Sequence, residues 1–331
     1  MDASETLALN AVESYTDVIR LRALTKLASD NIARHVEIGA QVQDLVDGGR
    51  LPKSDGFLVD DRIAAAQDAK IGIDQLLSNA IARYIRVIGH APKGAMDVPG
   101  VKSIPKNLRD FQQEAVQRSF RVQIADKVAR GIEFDANIKK ADRKPRVTLN
   151  AGVTHGLHRD GSEGNRSDAF VGFRMNWTLY NGRRPAQSAG LNERTRQAEL
   201  ERRVAANEVR ELAARTWSAY VRNSERSALL TRQLRANTLI VRQYRDELKA
   251  AKRSLIDLLE AERTVFNVRF QKANTDAALT FSRYRILAAQ SRLAAHFGVA
   301  PSKVIFAPDY EERALASPRS AVFNTVVEPL R

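Results

Sequence analysis

Residues 250–263 read "AAKRSLIDLLEAER" and sit inside a stretch, Leu191 to Phe297, that contains neither glycine nor proline. Drawn as one helix at 1.5 Å per residue, that stretch would reach about 160 Å, far beyond globular helix lengths. The chain must fold back within it without its usual breakers, and the place where it does so decides the fold.

The first part of the chain locates that place. Leu9, Val12, Ile19, Leu24, Leu27, Ile32, Val36, Val42 and Leu45 recur three and four apart, which predicts a long amphipathic helix. "DGGRLPKSDG" (47–56) breaks it, helical spacing resumes from Phe57 to Ile88, and "GHAPKGAMDVPGVKSIP" (89–105) ends the unit as a helical hairpin and a loop.

Pairing Tyr15 with Trp217, an offset of 202 residues, also pairs Ile19 with Val221, Arg20 with Arg222, Leu27 with Leu229, Ile38 with Ile240 and Asp55 with Asp257. The break at Gly49 then falls on Ala251, so the quoted stretch is a turn. Asp55 to Gly89 spans 34 residues and Asp257 to Gly298 spans 41, which predicts a second descending arm longer by one heptad, with its apolar seam kept in phase. The two hairpins read as duplicated coiled-coil units.

Between the hairpins the period changes. A helix is expected from about Asn107 to Lys144, ending at Pro145. "RVTLNAGVTHGL" (146–157) then alternates Val147, Leu149, Ala151 and Val153 against Arg146, Thr148, Asn150 and Thr154. After the polar "HRDGSEGNRS", a second segment alternates Val171, Phe173, Met175, Trp177 and Leu179 against Gly172, Arg174, Asn176 and Thr178. A soluble sheet alternates too, but the strand length, the Arg and Asn on the polar face and the aromatic pair Trp177 and Tyr180 are what a membrane barrel requires.

These features together resemble the TolC-like outer-membrane efflux and type I secretion channels: two long helical hairpins around a β hairpin, "MNWTLYNGRRPAQ" at the strand exit and "KRSLIDLLEAER" at a helical turn. The resemblance implies a mainly α chain of long coiled-coil hairpins forming a periplasmic tunnel, with transmembrane strands contributed to a trimeric barrel. In that family each chain supplies four strands to a shared barrel of twelve. Only two strands are visible here, so the resemblance also implies an N-terminally truncated sequence, short of on the order of 100 residues and a signal peptide.

The implied organisation is a first helical hairpin at 1–89, an incomplete first repeat, then an equatorial loop and helices at 90–145. A transmembrane β hairpin follows at 146–181, a second long hairpin at 182–298 and an irregular tail at 299–331. By resemblance, Asp257 and Glu260 form the pore constriction, and Arg253 contacts Ser54 and Asp55 to close a gate between neighbouring chains. Val147, Leu149, Val153, Val171, Phe173, Met175 and Leu179 are the lipid-facing set of the barrel. The implied partners are two further copies in a homotrimer, a periplasmic adaptor, an inner-membrane transporter and outer-membrane lipid. The implied location is the cell outer membrane with a periplasmic extension.

Composition narrows the alternatives. The net charge of +14 and pI near 10.2 would suit nucleic acid, but acidic residues are interspersed along the same helices, as on solvated helix faces. A soluble basic coiled-coil scaffold is the competing reading, and the β hairpin is what argues against it. No apolar run reaches the roughly 20 residues of a spanning helix. The chain has no cysteine, and of His35, His90, His155, His158 and His296 only His155 and His158 are close in sequence, without zinc-site spacing. No phosphate loop, nucleophile elbow or dinucleotide fingerprint occurs, so neither an enzyme, a cofactor nor a metal site is expected.

Overall fold

The computed structural model describes residues 2–101, 103–141, 144–157, 164–250 and 252–299. The tail beyond 299 and the centre of the polar loop, 158–163, lie outside the described residues. The elements are α1 (Asp2–Asp47), α2 (Lys53–Ile88), α3 (Leu108–Arg118), α4 (Phe120–Ala141), β1 (Arg146–Leu157), β2 (Asn165–Asn176), α5 (Arg184–Lys249), α6 (Leu255–Ala289) and α7 (Leu293–His296). They form two compact units, Met1–Ala115 with Arg210–Arg331, and Val116–Val209.

In the first unit, α1 packs along α2 and α6. Val18, Leu21, Leu24 and Ala28 meet Ile73, Ala80 and Tyr84, and nearer the turns Ile38, Val42 and Val59 meet Val241, Leu248, Leu255, Leu258 and Val265. The seam departs from the sequence reading: Val18, Leu21 and Ile38 are buried although the reading passed over them, and Val36 is exposed while the buried position beside it belongs to His35.

The duplication is carried into the backbone at the same 202-residue offset. α1 ends at Asp47 and α5 at Lys249, while α2 begins at Lys53 and α6 at Leu255. The residues preceding the descending helices, Pro52 and Ser254, share an extended conformation (φ −71°, ψ 151° and φ −74°, ψ 151°). Within each hairpin a hydroxyl crosses to a carboxylate that also holds a lysine one turn earlier. Thr25 donates to Asp74 (3.0 Å) beside Lys70, and Ser227 donates to Asp276 (2.5 Å) beside Lys272.

The expected extra heptad is absent. α2 has 36 residues and α6 has 35. The first arm stops at Gly89 with φ 92°, and the equivalent residue, Ser291, has φ 52°. A serine occupies the left-handed position that glycine fills in the first repeat, so counting to the next glycine overshoots the true end. The additional residues are α7, held where the Glu5 carboxylate accepts the N–H groups of Leu293 (2.9 Å) and Ala294 (3.2 Å).

The helix expected over 107–144 is two helices, interrupted at the buried Ser119. Asn107 caps α3, its side-chain oxygen accepting the Asp110 N–H at 2.9 Å. In the second unit, Arg202 of α5 reaches Asp126 of α4 (3.2 Å) and Arg121 reaches Glu208 (2.8 Å). Pro185 falls in the first turn of α5, where its missing N–H costs nothing.

Candidate functional site

The quoted stretch does turn. α5 ends at Lys249, and α6 starts after Ser254, whose Oγ accepts the Asp257 N–H at 3.2 Å. Leu255, Leu258 and Leu259 face the core, which leaves Asp257 and Glu260 partly exposed one turn apart on the opposite side of the first two turns. Glu260 pairs with Arg263 at 2.5 Å.

Arg253 is clamped within its own hairpin. It donates to Glu247 at 2.9 Å, lies 3.7 Å from Asp257 and covers the Tyr244 ring at 4.2 Å from the centroid. Hydrogen bonds from Gln243 and Arg253 hold the Glu247 carboxyl below the ordinary carboxylate range, and the bond to Glu247 raises the Arg253 guanidinium. Ser54 and Asp55 occupy the first turn of α2, where the Asp55 N–H donates to the Pro52 carbonyl at 3.0 Å. Within one chain Arg253 makes its contacts to Glu247, Asp257 and Tyr244, and the resemblance assigns Ser54 and Asp55 to a neighbouring copy.

Below the turns lies a polar cluster that periodicity did not reveal. Glu262 is 2% exposed and paired with Arg245 at 3.0 Å, and Arg245 also reaches Glu37 at 3.2 Å. His35, 6% exposed, has no partner on Nδ1. Burial lowers its pKa, with Glu262 opposing and Arg62 reinforcing the shift. Asn237, the equivalent of His35 at the 202-residue offset, likewise has an unpartnered buried Nδ2. The buried residues Ala28, His35 and Val42 are seven apart, so His35 takes a seam position where an apolar residue would ordinarily pack.

The β hairpin pairs Val147 with Met175, Leu149 with Phe173, Ala151 with Val171 and Val153 with Ala169. Directly opposed residues share a face, so these eight form one apolar surface. Its large side chains lie open, from 58% at Val147 to 79% at Phe173. The other face carries Arg146, Thr148, Asn150, Arg174 and Asn176. It also holds Phe170 over Gly152, where an added Cβ would stand 2.6 Å from the ring. Pairing ends at Asn176, so Trp177, Leu179 and Tyr180 lie past the strand, although the alternation in sequence continues through them. Neither strand has a second neighbour among the described residues.

His155 Nδ1 lies 2.7 Å from Ser167 Oγ, and His158 is outside the described residues. No helix among the described residues is long and apolar enough to cross a membrane.

No family model matches the chain. It is 22% identical over 296 residues to the outer membrane efflux protein BepC of Brucella suis biovar 1 (strain 1330), covering 89% of this chain and 65% of that protein. Among solved structures it superposes on CusC, described as undergoing transmembrane channel formation, with a TM-score of 0.72 at 14% identity over 86% of this chain and 68% of that one. It also superposes on the outer membrane protein VceC of Vibrio cholerae, with a TM-score of 0.68 at 14% identity over 86% and 70%. The chain spans 65% of the length of its curated relative.

Proposed function

We propose, from a chain that carries the fold of the TolC-like outer-membrane channels, that it is the channel-forming part of an efflux or type I secretion system. It acts as a passive exit duct in the outer membrane, without catalysis, and its helical hairpins extend into the periplasm. The observation that carries this reading is the β hairpin. Strands of twelve residues with open edges and an uncovered apolar surface over 147–153 and 169–175 are costly in water, but in a bilayer they are stable once closed into a barrel.

On this reading three copies complete the barrel, and Val147, Leu149, Val153, Val171, Phe173, Met175 and Leu179 face lipid. The hairpin turns form the inner end, where Asp257 and Glu260 narrow the pore and Arg253 meets Ser54 and Asp55 of a neighbouring copy. A periplasmic adaptor and an inner-membrane transporter supply the driving force. The position of the two carboxylates in the first turns of α6 supports the constriction, because both stay partly exposed beside Arg253 and Arg263.

The test is cysteine scanning of the complete channel in liposomes. Cysteines replacing Thr148, Asn150 and Asn176 should react with membrane-impermeant thiol reagents, and those replacing Leu149, Val171 and Phe173 should not. Equal labelling of both sets would return the hairpin to a soluble sheet and favour the coiled-coil scaffold.

A further inference from the structure

The polar face of the hairpin is not electrically neutral. Arg146 sits opposite Asn176 and Arg174 opposite Thr148, so the two arginines are diagonal neighbours on one face, about 7–8 Å apart. Both side chains are exposed, and among the described residues neither guanidinium has a hydrogen-bond or ion-pair partner. On the same face, Asp168 stands opposite Thr154, six residues along β2 from Arg174. At about 3.4 Å per residue that separation is roughly 20 Å, more than twice the Debye length of about 8 Å at physiological salt.

The surrounding sequence strengthens the imbalance. Between Ala136 and Asn192 there are ten Lys and Arg residues against four Asp and Glu, which is nearly half of the chain's net charge of +14. The like-charged pair also lies at the strand ends that adjoin α4 and α5 rather than at the hairpin loop. Placing two unpaired cations side by side has no stabilising role within the chain, which leaves a role toward something that passes over this face.

We propose that Arg146 and Arg174 form an anion-attracting collar at the inner mouth of the barrel, drawing small carboxylate- or phosphate-bearing solutes into the lumen. This rests on the channel reading, and it names a solute class for that channel. With three copies, six guanidiniums surround the lumen. A charged, low-dielectric passage concentrates counter-ions and speeds their entry. Arginine keeps its charge at every working pH and binds carboxylate and phosphate with two parallel bonds.

The experiment measures reversal potentials of the complete channel in planar bilayers under a potassium chloride gradient, then under gradients of potassium phosphate and potassium succinate. The double variant Arg146→Gln/Arg174→Gln should shift the anion-to-cation permeability ratio toward cations by about threefold or more. Arg146→Lys/Arg174→Lys should keep the wild-type ratio for chloride and lose part of the preference for the dianions. An unchanged ratio in the glutamine variant overturns the collar while leaving the channel intact. A wild-type protein that carries no current overturns the channel reading, and the collar with it.

A second readout does not depend on conductance. A cysteine replacing Asn150 should react several times faster with a negatively charged thiosulfonate reagent than with a positively charged one, and Arg146→Gln/Arg174→Gln should abolish that difference. If a cysteine at position 146 is instead reached only by bilayer-soluble reagents, the arginines face lipid headgroups and the collar is wrong.

Discussion

Asp74 and Asp276 stand 202 residues apart in sequence and receive the same two partners, a hydroxyl from the ascending helix and a lysine four residues earlier. Each hairpin is thus pinned at one register by the same three residues. Hydrogen bonding from Lys70 and Thr25 holds the Asp74 carboxyl below its ordinary pKa. Replacing either aspartate by alanine should lower the melting temperature by a few degrees. Because the two pins share no partner, the double variant should show the sum of the two shifts, read by thermal unfolding. A shift well short of the sum would mean that the hairpins are not pinned independently.

The equivalent helix ends should respond oppositely to substitution. Gly89→Ala forces a Cβ into a left-handed position and should cost about 1 kcal/mol. Ser291→Gly relieves the φ of 52° at the matching position and should gain up to about 1 kcal/mol. Chemical denaturation of both variants checks the pair.

Arg245→Leu should be among the most damaging single changes, at about 3 kcal/mol, because it leaves the Glu262 carboxylate buried without its partner. Replacing both residues by leucine should recover most of that loss. A double-mutant cycle in urea measures the coupling.

His35 makes the packing of the hairpins sensitive to acid. Burial lowers its pKa in the folded chain, while the unfolded chain protonates it near its ordinary pKa of 6.5. Stability is therefore complete above pH 6.5 and falls as the pH drops below it, by at most about 1.4 kcal/mol per pH unit. His35→Leu should remove this part of the dependence between pH 7 and 5, as followed by circular dichroism.

The acidic pair at the turn should govern cation preference. In the complete channel, Asp257→Ala/Glu260→Ala should reduce cation selectivity and weaken block by multivalent cations. Arg253→Ala should raise conductance if its contacts reach a neighbouring copy. If they end at Glu247 and Tyr244, conductance will be unchanged and only stability will fall. Single-channel recording separates the two outcomes.

The periods of the sequence determined the elements by themselves. Spacing of three and four specified helices, alternation specified the hairpin, and the repeat placed the turn within residues 250–263, without a glycine or proline, because solvent and core select side chains at the spacing of the backbone that carries them. Asp257 and Glu260 were singled out by the resemblance, and the structure places them opposite Leu255, Leu258 and Leu259, which face the core. What only the tertiary structure decided were the places where a residue does unusual work for its type. Ser291 adopts a glycine's backbone conformation because α7 is anchored by Glu5 just beyond it. His35 lies in a seam facing Glu262, and Arg253 pairs across its own turn. Pairing stops at Asn176 although the alternation runs on. Each depends on a partner distant in the chain or on where pairing stops, and local periodicity carries no information about either.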